Sequence, residues 1–239
     1  FTFVGYTGKN NGKTIAVNAW TDFFAPNFPN PTPTFSLQIL GVAGTSTINS
    51  FNGWDTGVKT DQVSNVLFEN NSIFDCRNGI YATRGRKLTA SNNIIYRFNQ
   101  GIYCFDFWQL ETGLKQYEKS IYIIDNIFNE AGVYNSDSYG KVAINIQNGL
   151  GHIMDSWVEN NLIHNSLLGI HLRSVSWSRI VGNRYEAFIP NSNISDNHFG
   201  IHVEDSPYAD VNANTVERMI DPGDVTRHTS TASESDLMR

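Results

Sequence analysis

Charged residues are scarce in this sequence, and the few that are present lean towards the acidic side. Asp, Glu, Lys and Arg make up 17% of the 239 residues, and the formal net charge is −6. A protein that binds nucleic acid or an anionic membrane by charge alone needs a basic surplus, so neither partner is predicted. The chain also lacks an apolar run of about 18 residues, so no membrane-spanning helix is predicted.

Signatures of metal and cofactor chemistry are missing as well. The sequence has no glycine-rich phosphate loop before a helix and no GxSxG nucleophile motif. Its histidines are spread along the chain, and no cluster of Asp residues suits Ca²⁺. We therefore expect neither a metal nor a cofactor.

Neither an initiator methionine nor a signal peptide opens the sequence, which begins at Phe1. We therefore expect a processed product or a piece of a longer protein. Proline is also uncommon, and four of the seven prolines fall between Ala25 and Thr34. This concentration predicts an irregular loop, because proline removes a backbone donor and fixes φ.

Against these absences stands a repeat with a period of 22 residues, seen first at Asn49, Asn71 and Asn93. Three further series keep the same spacing: Gly57, Gly79 and Gly101; Val58, Ile80 and Ile102; Phe51, Ile73 and Ile95. A fixed period in the twenties indicates stacked supersecondary units. The two cysteines, Cys76 and Cys104, occupy different positions of the repeat, and we interpret both as buried free thiols.

Within one unit, apolar and polar residues alternate, as in the run Ile80, Tyr81, Ala82 and Thr83. This alternation predicts about three short strands per unit. One coil of three strands cannot bury its inner face, but stacked coils share a continuous core. The sequence therefore predicts an all-β fold, a right-handed parallel β-helix with about 22 residues per coil. Its asparagines would stack and hydrogen-bond at one corner, and its glycines would supply backbone freedom at another.

The repeat divides the chain into three parts. Residues 1–38 are interpreted as an irregular N-terminal cap with the first coils, 39–220 as the β-helix, and 221–239 as a polar C-terminal tail. The spacing of the repeat positions places insertions of about eleven and about nine residues near 105–119 and 129–141. Insertions into repeats form outer loops, often beside a binding surface.

The motif Asn-Asn-x-apolar, followed by Gly-Ile-Tyr or Gly-Ile-His, recurs through residues 40–215. Its copies are Asn70-Asn71-Ser72-Ile73 with Gly79-Ile80-Tyr81, Asn92-Asn93-Ile94-Ile95 with Gly101-Ile102-Tyr103, and Asn160-Asn161-Leu162-Ile163 with Gly169-Ile170-His171. The chain resembles the pectate-lyase-like superfamily of right-handed parallel β-helices. Its long loops, aromatic richness and lack of a secretion signal make it most similar to the bacteriophage tailspike depolymerases. That resemblance implies a polysaccharide partner, an extracellular or virion location and a homotrimer.

Two columns of outward-facing residues follow from the alternation, because neighbours of inward-facing Ile80 and Ala82 point outward in every coil. The first column is Lys59, Tyr81, Tyr103, Asn145, His171 and His202, and the second is Asp61, Thr83, Phe105, Gln147, Arg173 and Glu204. Such a surface offers flat rings for sugar faces and polar groups for hydroxyls or carboxylates. The predicted substrate-binding residues are Lys59, Tyr81, Tyr103, Phe105, Trp108, Asn145, His171, Arg173 and His202. The alternative is an ordinary exposed strand face without a ligand.

Three carboxylates near these columns are the predicted catalytic residues: Asp106, Asp137 and Glu204. Hydrolysis of a glycosidic bond needs two carboxyl groups, whereas a lyase or epimerase needs a base and a cation for a uronate carboxylate. The Asp-Asp pair and the Gly-His-Gly motif of polygalacturonases are absent, since Gly151-His152 is followed by Ile153. A polygalacturonase-type mechanism is therefore not predicted.

Three functions fit these observations. The first is recognition and depolymerisation of a bacterial surface polysaccharide or an acidic polysaccharide, by a tailspike-like glycoside hydrolase or a lyase. The second is a carbohydrate-binding or adhesive β-helix without catalysis, and the third is a structural spacer. A uronate polysaccharide lyase or epimerase is a further alternative.

Overall fold

The computed structural model describes residues 2–4, 15–20, 36–40, 49–52, 56–61, 63, 65–85, 87–107, 121–129, 142–149, 155–166, 168–189, 199–220 and 228–231. Within these ranges the chain forms two sheets built from short strands. No helical segment in this part of the chain has the length and apolar character needed to cross a bilayer.

Each coil consists of successive strand segments on three faces, which we call faces A, B and C. Face A contains β3 (Ser36–Leu40), β6 (Asn65–Glu69), β8 (Lys87–Ser91), β10 (Ile121–Ile124), β13 (Asp155–Glu159), β16 (Trp177–Val181) and β19 (Ala209–Asn212). Face B contains β1 (Thr2–Val4), β4 (Asn49–Asn52), the first parts of β7 (Asn71–Thr83) and β9 (Ile94–Phe105), β11 (Ile127–Asn129), β14 (Leu162–His164), β17 (Arg184–Ile189), β20 (Thr215–Ile220) and β21 (His228–Thr231). Face C contains β2 (Ile15–Trp20), β5 (Thr56–Asp61), the second parts of β7 and β9, β12 (Val142–Gln147), β15 (Leu168–Arg173) and β18 (Phe199–Glu204).

Strands on each face pair in parallel with their equivalents one coil above and below. The exception among the described strands is β21, which pairs antiparallel with β20. The fold is therefore the predicted right-handed parallel β-helix.

Apolar side chains from the three faces fill the interior in columns. One column on face C is Val58, Ile80, Ile102, Ile144, Ile170 and Ile201, and one on face B includes Ile73, Ile95, Phe128, Ile163 and Tyr185. Each fully buried side chain of this size stabilises the fold by roughly 1.5–3 kcal/mol. The predicted series through Phe51, Ile73 and Ile95 and through Val58, Ile80 and Ile102 are confirmed by the strand register.

An asparagine ladder runs along the corner between faces A and B. Each amide nitrogen donates to the Oδ1 atom of the next asparagine at 2.9–3.3 Å, through Asn71, Asn93, Asn126, Asn161, Asn183 and Asn214. Each Oδ1 after the first also accepts the backbone N–H of the preceding asparagine at 2.9–3.0 Å. The predicted hydrogen-bonded stack is confirmed, and it satisfies polar groups that would otherwise be buried without partners.

The chain turns at this corner through residues with positive φ. They stand immediately before the ladder asparagines: Asn70, Asn92, Asp125, Asn160, Gly182 and Ala213. Asn and Asp tolerate this left-handed region better than most residues because their side chains hydrogen-bond locally. The sequence pattern therefore assigns Asn70 and Asn71 different tasks, the first turning the backbone and the second joining the ladder.

The repeated glycines of face C have a different role from the predicted one. Among the described glycines only Gly182 has a positive φ. A Cβ atom on Gly79 would lie 2.5 Å from the carbonyl oxygen of Gly101, and one on Gly169 would lie 2.3 Å from that of Gly200. The prediction of backbone freedom is therefore wrong. At Gly79 and Gly169 the next coil approaches too closely for a side chain, whereas Ala143 holds the equivalent position between Gly101 and Gly169.

Strand register departs from the period of 22 at the two places where insertions are predicted. Ile94 pairs with Ile127, 33 positions later, which adds eleven residues to the period of 22. Gln100 pairs with Val142, 42 positions later, which adds nine more. Most of both insertions, residues 108–120 and 130–141, lies outside the described residues.

The described strands continue into both predicted terminal regions. Within residues 1–38, β1 and β2 pair in parallel with β4 and β5, as expected for first coils. Within residues 221–239, β21 pairs with β20. The division into cap, helix and tail stays a prediction. Both Cys76 and Cys104 are buried free thiols, as predicted, and burial raises the pKa of the Cys104 thiol.

Candidate functional site

Face C brings together the two predicted outward columns in register. Pairing connects the first column, Lys59, Tyr81, Tyr103, Asn145, His171 and His202, and the second, Asp61, Thr83, Phe105, Gln147, Arg173 and Glu204. Parallel strands place equivalent residues about 4.8 Å apart. Residues that are regularly spaced in the sequence therefore form two adjacent rows on the surface of face C.

The first part of this surface is aromatic. The rings of Tyr81 and Tyr103 have centroids 4.9 Å apart, and the rings of Tyr103 and Phe105 are nearly parallel at 6.2 Å. The ammonium nitrogen of Lys59 lies 6.0 Å from the centre of the Tyr81 ring. Burial, reinforced by the neighbouring Tyr81 hydroxyl, raises the pKa of Tyr103 to about 12, so this hydroxyl is a hydrogen-bond donor at neutral pH.

The second part of the surface is polar. The rings of His171 and His202 stack with centroids 5.1 Å apart. Glu204 lies beside this pair, with carboxylate oxygens 3.7 Å from the Nε2 atom of His171 and 3.7 Å from the Nε atom of Arg173. The amide of Gln147 donates to the Oδ1 atom of Asn145 at 3.0 Å.

His171 is more deeply buried than Glu204 in this cluster. Its side chain is 13% exposed, against 40% for Glu204, and its Nε2 atom is buried without a hydrogen-bond partner. Burial, reinforced by the adjacent His202, lowers the pKa of His171 below its ordinary 6.5. The imidazole is therefore neutral at pH 7, and Glu204 and Arg173, with side chains 40% and 55% exposed, are more accessible to a ligand than His171.

Asp61, at the opposite end of the second column, is already engaged. Its Oδ1 atom accepts hydrogen bonds from Thr83 at 2.9 Å and from the Nε atom of Arg84 at 2.8 Å, and its Oδ2 atom pairs with the same guanidinium. Five coil steps separate Asp61 from Glu204, or roughly 24 Å at about 4.8 Å per step. These two carboxylates are too far apart to act on one glycosidic bond.

Asp106 lies at the corner after face C rather than on its outer surface. Asp106 is 3% exposed, and its Oδ1 atom accepts a hydrogen bond from the backbone N–H of Gly149 at 2.5 Å. Three coil steps separate its neighbour Phe105 from Glu204, about 14 Å along the helix. This geometry assigns Asp106 a structural contact at the turn, and its predicted catalytic role stays a prediction.

Two predicted site residues lie outside the described residues: Trp108 in the first insertion and Asp137 in the second. Among the residues that the structure does describe, no group of three or more His, Cys, Asp or Glu side chains is arranged to hold a metal ion.

Sequence reasoning missed an aromatic cluster on face A. The rings of Trp177 and Tyr208 stack at 4.3 Å, and Trp157 lies in the same pocket, beneath the guanidinium of Arg179. The available signal was the outward position of Trp157 and Trp177 on face A strands, but Tyr208 lies 31 positions after Trp177 instead of 22. Tyr208 directly precedes β19, and its ring stacks on Trp177 because nine additional residues lie between β17 and β18.

Comparison with known proteins supports the fold. Residues 36–111 match the protein family described as "Right handed beta helix region", a range that starts at β3 and extends past β9. Searches of curated proteins and of solved structures found no match to the chain.

Proposed function

We propose that this protein binds a polysaccharide along face C and cleaves it beside Glu204. Right-handed β-helix regions occur in polysaccharide-active proteins and in adhesins. The observation that carries the proposal is the uninterrupted row on face C, in which aromatic rings lead directly to the polar cluster around Glu204.

The row fits an extended polymer better than a small ligand. Six aligned positions, Lys59 to His202, extend over roughly 24 Å, which suits several consecutive sugar rings. Tyr81 and Tyr103 supply apolar ring surfaces and hydroxyl donors, and Asn145 and Gln147 supply amides for sugar hydroxyls.

Elimination is the cleavage chemistry that the described residues favour. Glu204 is the exposed carboxylate of the polar cluster, and the other described carboxylate of these columns, Asp61, is about five coil steps away. A base and a nearby cation suffice for elimination from a uronate: Glu204 takes the proton from the carbon beside the sugar carboxylate, and Arg173 binds that carboxylate. The electron pair of the broken C–H bond forms a C=C bond as the glycosidic C–O bond on the next carbon breaks, and the leaving sugar oxygen takes a proton from solvent. Hydrolysis requires a second carboxyl group near Glu204, and Asp137 is the predicted candidate for it.

A binding protein without turnover is the second candidate function. It is favoured by the buried position of Asp106, which removes one predicted catalytic carboxylate from the surface. From the tailspike resemblance we also propose an extracellular or virion location and a homotrimer. Sedimentation of the purified chain would test the homotrimer.

The test of function incubates the protein with capsular polysaccharides and with uronate polymers. New reducing ends without ultraviolet absorbance indicate hydrolysis, and both signals together indicate elimination with an unsaturated uronate product. Binding without either signal supports the non-catalytic alternative. An absence of both binding and cleavage over the whole panel would refute the proposal.

Variants then locate the activity. Glu204→Gln is expected to lower turnover by on the order of 100-fold or more, as removal of a general base does. Glu186→Gln is the matched control, because Glu186 also lies beside a histidine, with its Oε2 atom 3.0 Å from the Nδ1 atom of His164, but on face B. Equal activity in both variants would exclude Glu204 as the proton-transfer group.

A further inference from the structure

A pocket lies on face A, on a different sheet from the columns of face C. It has a volume of about 460 Å³ and is lined by Asp155, Trp157, Trp177, Ser178, Arg179, Tyr208 and Asp210. Its first wall is formed by Asp155, which pairs with Trp177, and by Tyr208, whose ring stacks on that of Trp177. Register places Trp157, Arg179 and Asp210 in one column, which forms the second wall. The volume falls within the range of small-molecule sites and has room for a short run of sugar units.

One wall of this pocket is an exposed aromatic platform. Trp177 is 50% exposed and Tyr208 is 70% exposed, although their rings stack at 4.3 Å with an interplanar angle of 11°. Elsewhere among the described residues, exposed large apolar side chains are limited to Ile94 and Ile127 at 39%. A cluster of exposed aromatic side chains is typical of a surface that binds a ligand or another protein.

The other wall adds polar groups whose charges favour an uncharged ligand. Arg179 is neutralised by Glu159, whose Oε1 atom lies 3.3 Å from its Nε atom, and its guanidinium lies over the Trp157 ring at 5.2 Å. Asp155 and Asp210 stand at the pocket as acceptors for hydroxyl groups. Their charges repel uronate or sulfate groups, so the pocket is complementary to rings with hydroxyls and no net charge.

We propose that the face A pocket is a second carbohydrate site, which takes uncharged pyranose units of a glycan. A pyranose has one apolar face of C–H groups, which fits the Trp177 and Tyr208 rings, and a rim of hydroxyls, which fits the two aspartates. The site stands on its own observations and does not depend on cleavage at face C. Through this site the protein binds a polymer, or a neighbouring glycan, outside the face C columns.

The experiment is native affinity electrophoresis of the full chain in gels that contain one polysaccharide each. The neutral probes are a β-glucan, a galactomannan, an arabinan and a polymer of N-acetylhexosamine, and the anionic probes are polygalacturonate and alginate. We expect at least one neutral polymer to retard the protein. Trp177→Ala is expected to weaken that retardation at least ~10-fold in apparent dissociation constant, which corresponds to about 1.4 kcal/mol.

Two control variants separate this site from others. Tyr103→Ala alters face C and should leave retardation by the neutral polymer unchanged, and Tyr96→Ala removes a face B ring that does not line the pocket. Because Trp177 is half exposed, Trp177→Ala should fold, as a thermal unfolding curve will verify. Sedimentation of Trp177→Ala tests whether the aromatic platform instead joins two copies of the chain.

Each outcome of this experiment either supports or overturns the proposed face A site. Retardation by a neutral polymer that Trp177→Ala weakens and Tyr103→Ala does not supports the site. Retardation only by anionic polymers, loss of retardation in Tyr103→Ala alone, no retardation by any neutral probe, or a change of oligomeric state in Trp177→Ala would each overturn it. Failure here leaves the face C cleavage assay unaffected, so the two proposals fail separately.

Discussion

Removal of one side chain from the middle of the asparagine ladder is expected to destabilise the whole solenoid. The amide nitrogen of Asn161 donates to the carbonyl of Ile123 and to the Oδ1 atom of Asn183, both at 2.9 Å. Its Oδ1 atom accepts the backbone N–H and the side-chain amide of Asn126, both at 3.0 Å. Asn161→Ala deletes all four contacts at a residue that is 1% exposed.

The expected cost follows from which groups are left without partners. The amide of Asn126 keeps two other acceptors, the carbonyls of Ala90 and Ile124, so its loss is small. The backbone N–H of Asn126 loses the acceptor that Asn161 provides, and a stranded buried N–H costs about 1–3 kcal/mol. The two bonds that Asn161 donates contribute about 1 kcal/mol each, so the total is roughly 3–5 kcal/mol.

Urea unfolding followed by circular dichroism measures this change. Asn212→Ala is the matched control, because Asn212 is exposed on face A and its amide donates to the Oδ1 atom of Asp210. The control should change the free energy of unfolding by no more than about 0.5 kcal/mol. If Asn161→Ala costs as little as Asn212→Ala, the ladder does not stabilise the fold in the way described here.

Three further substitutions test other parts of the structure. Gly169→Ala should destabilise the fold by about 1–3 kcal/mol, because the new methyl group meets a carbonyl oxygen of the next coil at 2.3 Å; an unchanged melting temperature would contradict this. Ala213→Gly should stabilise it by up to about 1 kcal/mol, because Ala213 has φ of 53° and Gly182 holds the equivalent corner in the previous coil; a loss of stability in urea would count against it. Stability should fall as the pH drops below 6.5, because unfolded His171 binds a proton that the folded state resists, and His171→Gln should flatten that slope; equal pH profiles in both proteins would refute the assignment.

The repeat could be predicted from the sequence because residues one period apart in a solenoid lie next to each other in adjacent coils. Asn71 and Asn93 are 22 positions apart in the chain and are bonded in the ladder for that reason. The same logic placed Tyr81 beside Tyr103 and, across a wider spacing of 31 residues, His171 beside His202. Those placements needed only the alternation of strands and the position of the glycines.

The tertiary structure decided what the period does not encode. Asp106 follows an outward residue in sequence, yet a turn buries it against Gly149, because the corner geometry depends on the next coil. Trp177 and Tyr208 are 31 positions apart and form a stacked pair, although the period of the repeat is 22. The sequence by itself determined the coil and its columns, since neighbouring coils repeat the same local pattern. Burial, charge pairing and the face A pocket depend on distances between side chains whose spacing is irregular, and only the folded chain brings those side chains together.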